Sequence, residues 1–336
     1  MSLDNPLTVI YKEVNGSKIT TDVYIPPTSS SSPQKYPVLI DIHGGAFMLG
    51  HSRMVSLPQV QDCLERGWIV LVPNHRLCPG VNILEGPMQD IRDLLTWIHD
   101  GHLDKELSSH EAYSADLDNI ATFGTSSGGT LALGLGFNVS KSVKAILSLY
   151  GAVHFTDPFW KTPLPHVAAK LPPNMDPAFL SQVYQEIPVP TDSSVSLEGQ
   201  SEAGGSKGPN FSRPRDAFAF TQIANGTVMD AIYPESRTTD PGMDRIDPVK
   251  NVSAEFPPTW IVHGLADTMV PIGLSRELYG RLKEAGVQCG MTEVPGEEHT
   301  FAMLMKVGSK TWWLQREGFD FLETIIGKGP QTTAFN

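Results

Sequence analysis

Positive charge is scarce in this chain: 25 lysines and arginines stand against 37 aspartates and glutamates, a formal net charge of −12, and the basic residues form no cluster. Nucleic acid and acidic membrane surfaces require a basic patch, so neither is an expected partner. Long apolar runs are missing too. No stretch approaches the roughly 18 residues that cross a bilayer, so no membrane anchor is expected. Cysteine is sparse and odd in number: Cys63, Cys78 and Cys289 lack metal-ligand spacing, which fits reduced thiols better than a disulfide framework or a metal site. Met1 to Pro6 show no basic segment followed by an apolar one, so a cytoplasmic rather than secreted protein is expected. On that reading the sequons at Asn15, Asn138, Asn210, Asn225 and Asn251 are chance occurrences.

What the chain does have is a rhythm of short apolar runs and amphipathic stretches. Leu7 to Val14 and Lys18 to Ile25 read as strands joined by Asn15-Gly16, a strong hairpin signal. Val38 to Ile42, Trp68 to Val72, Ile120 to Phe123 and Val143 to Tyr150 read as buried strands, with Asp116 to Asn119 as a turn before the third. Leu57 to Arg66 and Glu85 to Asp100 read as helices between them. The rhythm stops from Gly151 to Val249, a stretch rich in proline and aromatics with a low-complexity loop from Pro188 to Pro214. It resumes with a strand at Pro258 to His263, a helix at Ile272 to Ala285, a strand at Val287 to Val294 and a helix at Thr311 to Ile326. The expectation is an α/β core of residues 1–150 and 250–336 around a mostly parallel sheet. Residues 151–249 then form a lid with a flexible loop near 188–214.

The chemistry centres on Gly124-Thr125-Ser126-Ser127-Gly128, a G-x-S-x-G pentapeptide between a strand and a small-residue helix. A serine on so tight a turn is strained, and the flanking glycines remove side chains that would collide across it. The following helix points its N-terminus at the site and favours a developing anion. Centring the pattern on Ser127 fails at Thr125, so Ser127 is read as a backbone N–H donor. Gly44-Gly45, delivered by the strand ending at Ile42, allow amides to point into a cleft; alone they are equally a plain turn.

A serine hydroxyl needs a base oriented by a carboxylate. His299 follows the strand ending at Val294, and Asp267 follows the strand ending at His263, so both fall at the strand ends where such sheets place their sites. Asp240, Asp244, Asp247, Glu297 and Glu298 are rival acids, and His43 and His263 read as loop-holding residues.

Together these segments resemble the hormone-sensitive-lipase-like branch of the α/β-hydrolase carboxylesterases, over the whole chain apart from the lid. His43-Gly44-Gly45-Ala46-Phe47 is similar to that branch's H-G-G-G-F motif, Arg76-Leu77-Cys78-Pro79 to its R-L-A-P segment, and Gly124 to Gly129 to its serine elbow. The His263 to Pro271 stretch instead resembles the H-G-x-x-D-x-x-V-P of dienelactone hydrolases and prolyl-oligopeptidase-type enzymes. The resemblance implies an α/β-hydrolase fold with Ser126 as nucleophile, Asp267 and His299 as its partners, and oxyanion donors from Gly44, Gly45 and Ser127. It implies no cofactor and no metal, and a small-molecule ester as substrate. Ester hydrolysis is the expected reaction. Elimination, cyclisation or acyl transfer on a specialised metabolite is the alternative, and a non-catalytic ligand receptor ranks last because His299 is retained. Oligomeric state is not legible, and a dimer stays open.

Overall fold

Asn15 and Gly16, at φ 49° and 82°, occupy the two left-handed positions that a two-residue hairpin turn requires, and they join β1 (Leu7–Val14) to β2 (Ser17–Tyr24). The computed structural model describes residues 3, 5–28, 32–110, 112–194, 209–234 and 240–330. Beyond the hairpin come β3 (Gln34–Ile42), β4 (Ile69–Pro73), β5 (Tyr113–Thr125), β6 (Ala145–Leu149), β7 (Thr259–Gly264) and β8 (Cys289–Val294). They complete one eight-stranded sheet in the order β1-β2-β4-β3-β5-β6-β7-β8. β1 and β2 are antiparallel to their neighbours, and the strands from β4 to β8 run parallel.

Parallel strands are covered on both faces, which is why their sequences are nearly unbroken apolar runs. The helices that cover them are α1 (Leu57–Glu65), α2 (Gln89–His99), α3 (Ser127–Leu133), α5 (Ile272–Glu284) and α6 (Lys310–Ile326), while α4 (Pro214–Asn225) packs against the other helices of the segment between β6 and β7. Successive residues of β3 serve opposite faces. Val38, Ile40 and Ile42 enter one core layer with Ile91 and Leu94 of α2 and Leu278 of α5, while Leu39 enters the other with Cys63 of α1 and Phe319 of α6. The sheet thus lies between two apolar layers, and its strand ends are free to carry a site.

Two local expectations change. Asp116 to Asn119 form a bulge inside β5 rather than a turn before it: pairing jumps from Tyr36 with Ala115 to Val38 with Ile120. The turn chemistry is present all the same, because Asp118 N and Asn119 Nδ2 donate to the Asp116 carboxylate at 3.2 and 2.8 Å. The helix expected over Glu85 to Asp100 opens as one wide π turn, Leu84–Met88, before α2. Pro87 has no N–H for the ladder, and Met88 N reaches back to Ile83 O at 2.9 Å.

Between β6 and β7 the described residues form helices and loops and no strand. α4 is the longest helix there and buries Phe218, Phe220 and Ile223. Residues 188–194 run along the sheet's strand-end loops. Ser17 Oγ donates to Val189 O at 2.7 Å, and Leu77 N donates to Pro190 O at 2.8 Å. Within the low-complexity loop, residues 195–208 lie outside the described residues.

Candidate active site

The elbow after β5 is built on backbone contact. Ser126 sits at φ 53°, ψ −122°, a strained conformation for a residue with a side chain, and α3 begins at the next residue. A Cβ on Gly124 would lie 2.3 Å from Gly128 O, and one on Gly128 would lie 2.0 Å from Ile42 O. Neither distance is compatible with a side chain, so the two glycines are a steric requirement of the turn. Ser126 N donates to Leu149 O at 3.0 Å, which fixes the elbow against the end of β6.

Three of the residues singled out in the sequence come together here. His299 Nε2 lies 2.9 Å from Ser126 Oγ, and His299 Nδ1 lies 2.7 Å from Asp267 Oδ2. An ionised carboxylate only accepts hydrogen bonds, so Nδ1 carries the proton and the Nε2 lone pair faces the serine hydroxyl. Asp267 is itself held firmly. Its Oδ1 accepts from Met269 N and Val270 N at 2.9 and 2.8 Å, and its Oδ2 also accepts from His263 Nε2 at 3.1 Å. Burial by itself would raise the Asp267 carboxyl; the electrostatic interaction with the His299 imidazole and the hydrogen bonds from both histidines override it and hold the group well below the usual carboxylate range. His263 is fully buried between Ser275 Oγ and Val270 O, each at 2.8 Å, and braces Asp267 through the same Oδ2 that accepts from His299.

The turn after β3 shares a cavity with the serine. Gly45 at φ 123° could not carry a side chain, since a Cβ there would meet Leu49 O at 2.1 Å. Ala46 and Phe47 follow at φ 53° and 63°. Among the described residues, the amides of Gly44, Gly45, Ala46 and Ser127 donate to no other backbone group. Ala46, Phe47, Ser126, Ser127 and His299 line one cavity of about 250 Å³. Its far wall comes from the segment between β6 and β7 and is largely apolar: Phe159, Trp160, Leu164, Phe220, Ile223 and Val228.

The rival residues have other duties. Asp247 accepts from the amides of His154, Phe155 and Val249 at 2.9, 2.8 and 3.1 Å, and so caps two chain segments away from the serine. Glu297 takes a hydrogen bond from Thr311, and Glu298 reaches the cavity without joining Asp267 or His299 in a hydrogen bond among the described residues. His43 stacks on His75 at 4.7 Å between ring centres and donates from Nδ1 to Gly44 O at 2.7 Å. Burial, followed by the neighbouring His75, pushes the His43 imidazole well below its ordinary value, so it stays neutral. Cys63 and Cys78 are buried free thiols, and Cys289 is a half-buried one. Among the described residues no group of three or more His, Cys, Asp or Glu side chains has the arrangement of a metal site, and no helix is long and apolar enough to cross a membrane.

Three contributors escaped the sequence reading. Tyr150, fully buried just past β6, packs edge-on against the His299 ring at 4.9 Å. Its only signal was its place directly after a strand. Ala46 and Phe47 were read as motif letters, yet they face the cavity.

A strand-to-helix elbow, a carboxylate and a histidine on the loops after the last two parallel strands, and an eight-stranded sheet of this order define the α/β-hydrolase superfamily, and the chain belongs to it. Residues 21–158, which carry the Gly44-Gly45 turn and Ser126, match the BD-FAE family, and residues 217–329, which carry Asp267 and His299, match the prolyl oligopeptidase family. A thermophilic esterase from Thermogutta terrifontis, solved with butyrate bound, superposes with a TM-score of 0.61 at 16% identity, covering 97% of this chain and 95% of that one. Among curated proteins the chain is 27% identical over 348 residues to the non-reducing polyketide synthase ausA of Aspergillus calidoustus, and 29% identical over 337 residues to the non-reducing polyketide synthase stbA of Stachybotrys bisbyi. Both matches cover 95% of this chain, which spans only 14% and 15% of those proteins.

Proposed function

We propose that the chain is a serine hydrolase that cleaves carboxylic esters through an acyl-enzyme on Ser126. The observation that carries the reading is the continuous hydrogen-bonded chain from Ser126 Oγ through His299 to Asp267, at 2.9 and 2.7 Å. Ser126 Oγ attacks the ester carbonyl carbon while its proton passes to His299 Nε2. The carbonyl oxygen takes up the negative charge, and the amides of Gly44, Gly45 and Ser127, with Ala46 as a further amide of the same turn, receive it. Collapse expels the alcohol, which takes the proton from His299. Water then repeats the sequence on the acyl-enzyme and releases the acid. Asp267, kept ionised, holds the imidazole in the productive tautomer throughout.

Residues 1–150 and 250–336 serve in this reading as the catalytic core, and 151–249 as a cap whose aromatic wall receives the acyl group. An apolar acyl chain suits that wall. Similarity to polyketide synthases over nearly the whole chain favours a second reading at the same site: the acyl group is polyketide-derived, and an intramolecular or second-substrate nucleophile replaces water in the second half-reaction. That variant is acyl transfer or cyclising release. It uses the same serine.

The test is turnover of p-nitrophenyl esters of increasing acyl length by the wild-type chain and by Ser126→Ala. Serine-dependent turnover with an acyl-length optimum is expected, and the variant should lose on the order of 10⁴- to 10⁶-fold in kcat. Equal turnover by the two proteins would reject the reading. A fluorophosphonate that labels Ser126 in a protein without ester turnover would favour acyl transfer.

A further inference from the structure

Arg215, in the first turn of α4, is 6% exposed and turns its guanidinium inward. Nη1 donates to two backbone carbonyls at 2.7 Å each, Met48 O and Cys78 O. Nε donates to Glu186 Oε2 at 2.9 Å, and Nη2 donates to the same oxygen. Met48 and Cys78 belong to the loops after β3 and β4, so one side chain from the segment between β6 and β7 ties both loops together.

Those loops are the back of the oxyanion turn. Met48 N and Leu49 N donate to Gly45 O at 3.0 and 2.9 Å, and Cys78 N donates to Phe47 O at 2.9 Å. Further stitches come from Ser193, earlier in the same segment. Gly50 N donates to Ser193 Oγ at 2.8 Å, and Ser193 N donates to Gly50 O at 3.0 Å. The turn needs such support. Ala46 and Phe47 are two successive residues with side chains in the left-handed region, and a conformation of that kind persists only where its surroundings impose it.

We propose that Arg215 is a positioning residue for the oxyanion turn, so that the segment between β6 and β7 sets the rate of the chemical step as well as the acyl group admitted. This rests on the reading of Ser126 as nucleophile and of the Gly44 to Phe47 turn as its oxyanion site. The guanidinium touches no reacting atom. It holds the Met48 carbonyl directly after the strained pair and the carbonyl of Cys78, whose own amide bonds Phe47 O, and displacement of a positioned group by about 1 Å can cost about 10²-fold in rate even when the change lies away from the chemistry.

The experiment compares the full chain with Arg215→Met and Glu186→Gln, measuring kcat and KM on the best p-nitrophenyl ester. It also measures the rate at which a fluorophosphonate labels Ser126, a reaction that draws on the same turn. Arg215→Met should lose about 10²-fold in kcat and in labelling rate, with KM changed by less than about threefold and the circular dichroism spectrum retained. Glu186→Gln leaves both carbonyl contacts in place and should lose about 3- to 10-fold in the same two rates. Retention of both rates in Arg215→Met, or a rise in KM alone, would overturn the proposal and make Arg215 a brace for the cap. If Arg215→Met does not fold, unchanged rates in Glu186→Gln overturn it instead. A wild-type chain that neither turns over esters nor takes the label would count against the hydrolase reading itself, a result distinct from a difference between variants.

Discussion

The strand-end loops and the segment between β6 and β7 meet at one cavity but are built in opposite ways. The loops rely on backbone against backbone: Gly124 on Gly128, Gly128 on Ile42, Gly45 on Leu49, with no room for a Cβ at any of the three glycines. The segment relies on side chains, with Phe218, Phe220, Ile223 and Trp160 buried against the core. Backbone contacts of this kind tolerate no substitution, whereas a wall of side chains can be resized one residue at a time. In the proposed function, chemistry therefore falls to the rigid side and selectivity to the adjustable one. Arg215 is where the two sides are joined.

The contrast can be tested from both ends. Asp267→Asn should have the largest effect, about 10⁴-fold in kcat, because the amide no longer holds the required tautomer. It also has a pH signature. A carboxyl depressed in the folded state adds stability that is fully present above its ordinary value of about 3.9 and is lost as pH falls through the lower folded value. The gap in melting temperature between wild type and Asp267→Asn should therefore be widest above about pH 4 and narrow below it, as thermal unfolding across pH will read out. A gap that widens towards acid would mean that Asp267 is not the held carboxylate.

On the rigid side, Gly128→Ala places a Cβ 2.0 Å from Ile42 O and 2.5 Å from His43 O, and neither backbone atom can move without the sheet. A loss of about 3 kcal/mol in denaturant unfolding is expected, with activity falling alongside. Unchanged stability would contradict the elbow geometry. On the adjustable side, Phe220→Leu should cost only about 1 kcal/mol and shift the preferred acyl chain towards longer homologues, by about tenfold in relative kcat/KM. An unaltered acyl profile would remove Phe220 from the acyl wall.

How legible each part was follows the same division. That Ser126, His299 and Asp267 would meet could be read because each sits on a short motif at a strand end, and strand ends can be counted along the chain. The hairpin at Asn15-Gly16 was legible for the same local reason. Asp116 to Asn119 misled because the turn hydrogen bonds are real, while whether a turn ends a strand or bulges within it depends on the partner β3. Glu85 to Asp100 was read as one regular helix because apolar spacing cannot show what Pro87 does to the ladder. Arg215 and Tyr150 were invisible in advance, since their contacts join segments remote in sequence: Arg215 and Met48 are 167 residues apart. A lone arginine after a proline carries no sign that it will be buried.

The central claim is that Ser126 carries the acyl group, and intact-protein and peptide mass spectrometry after a rapid acid quench with a p-nitrophenyl ester tests it directly. The expected result is a mass gain equal to the acyl group, confined to the peptide that contains Ser126 and absent in Ser126→Ala. An acyl adduct on a different residue, or full turnover by Ser126→Ala, would contradict the account.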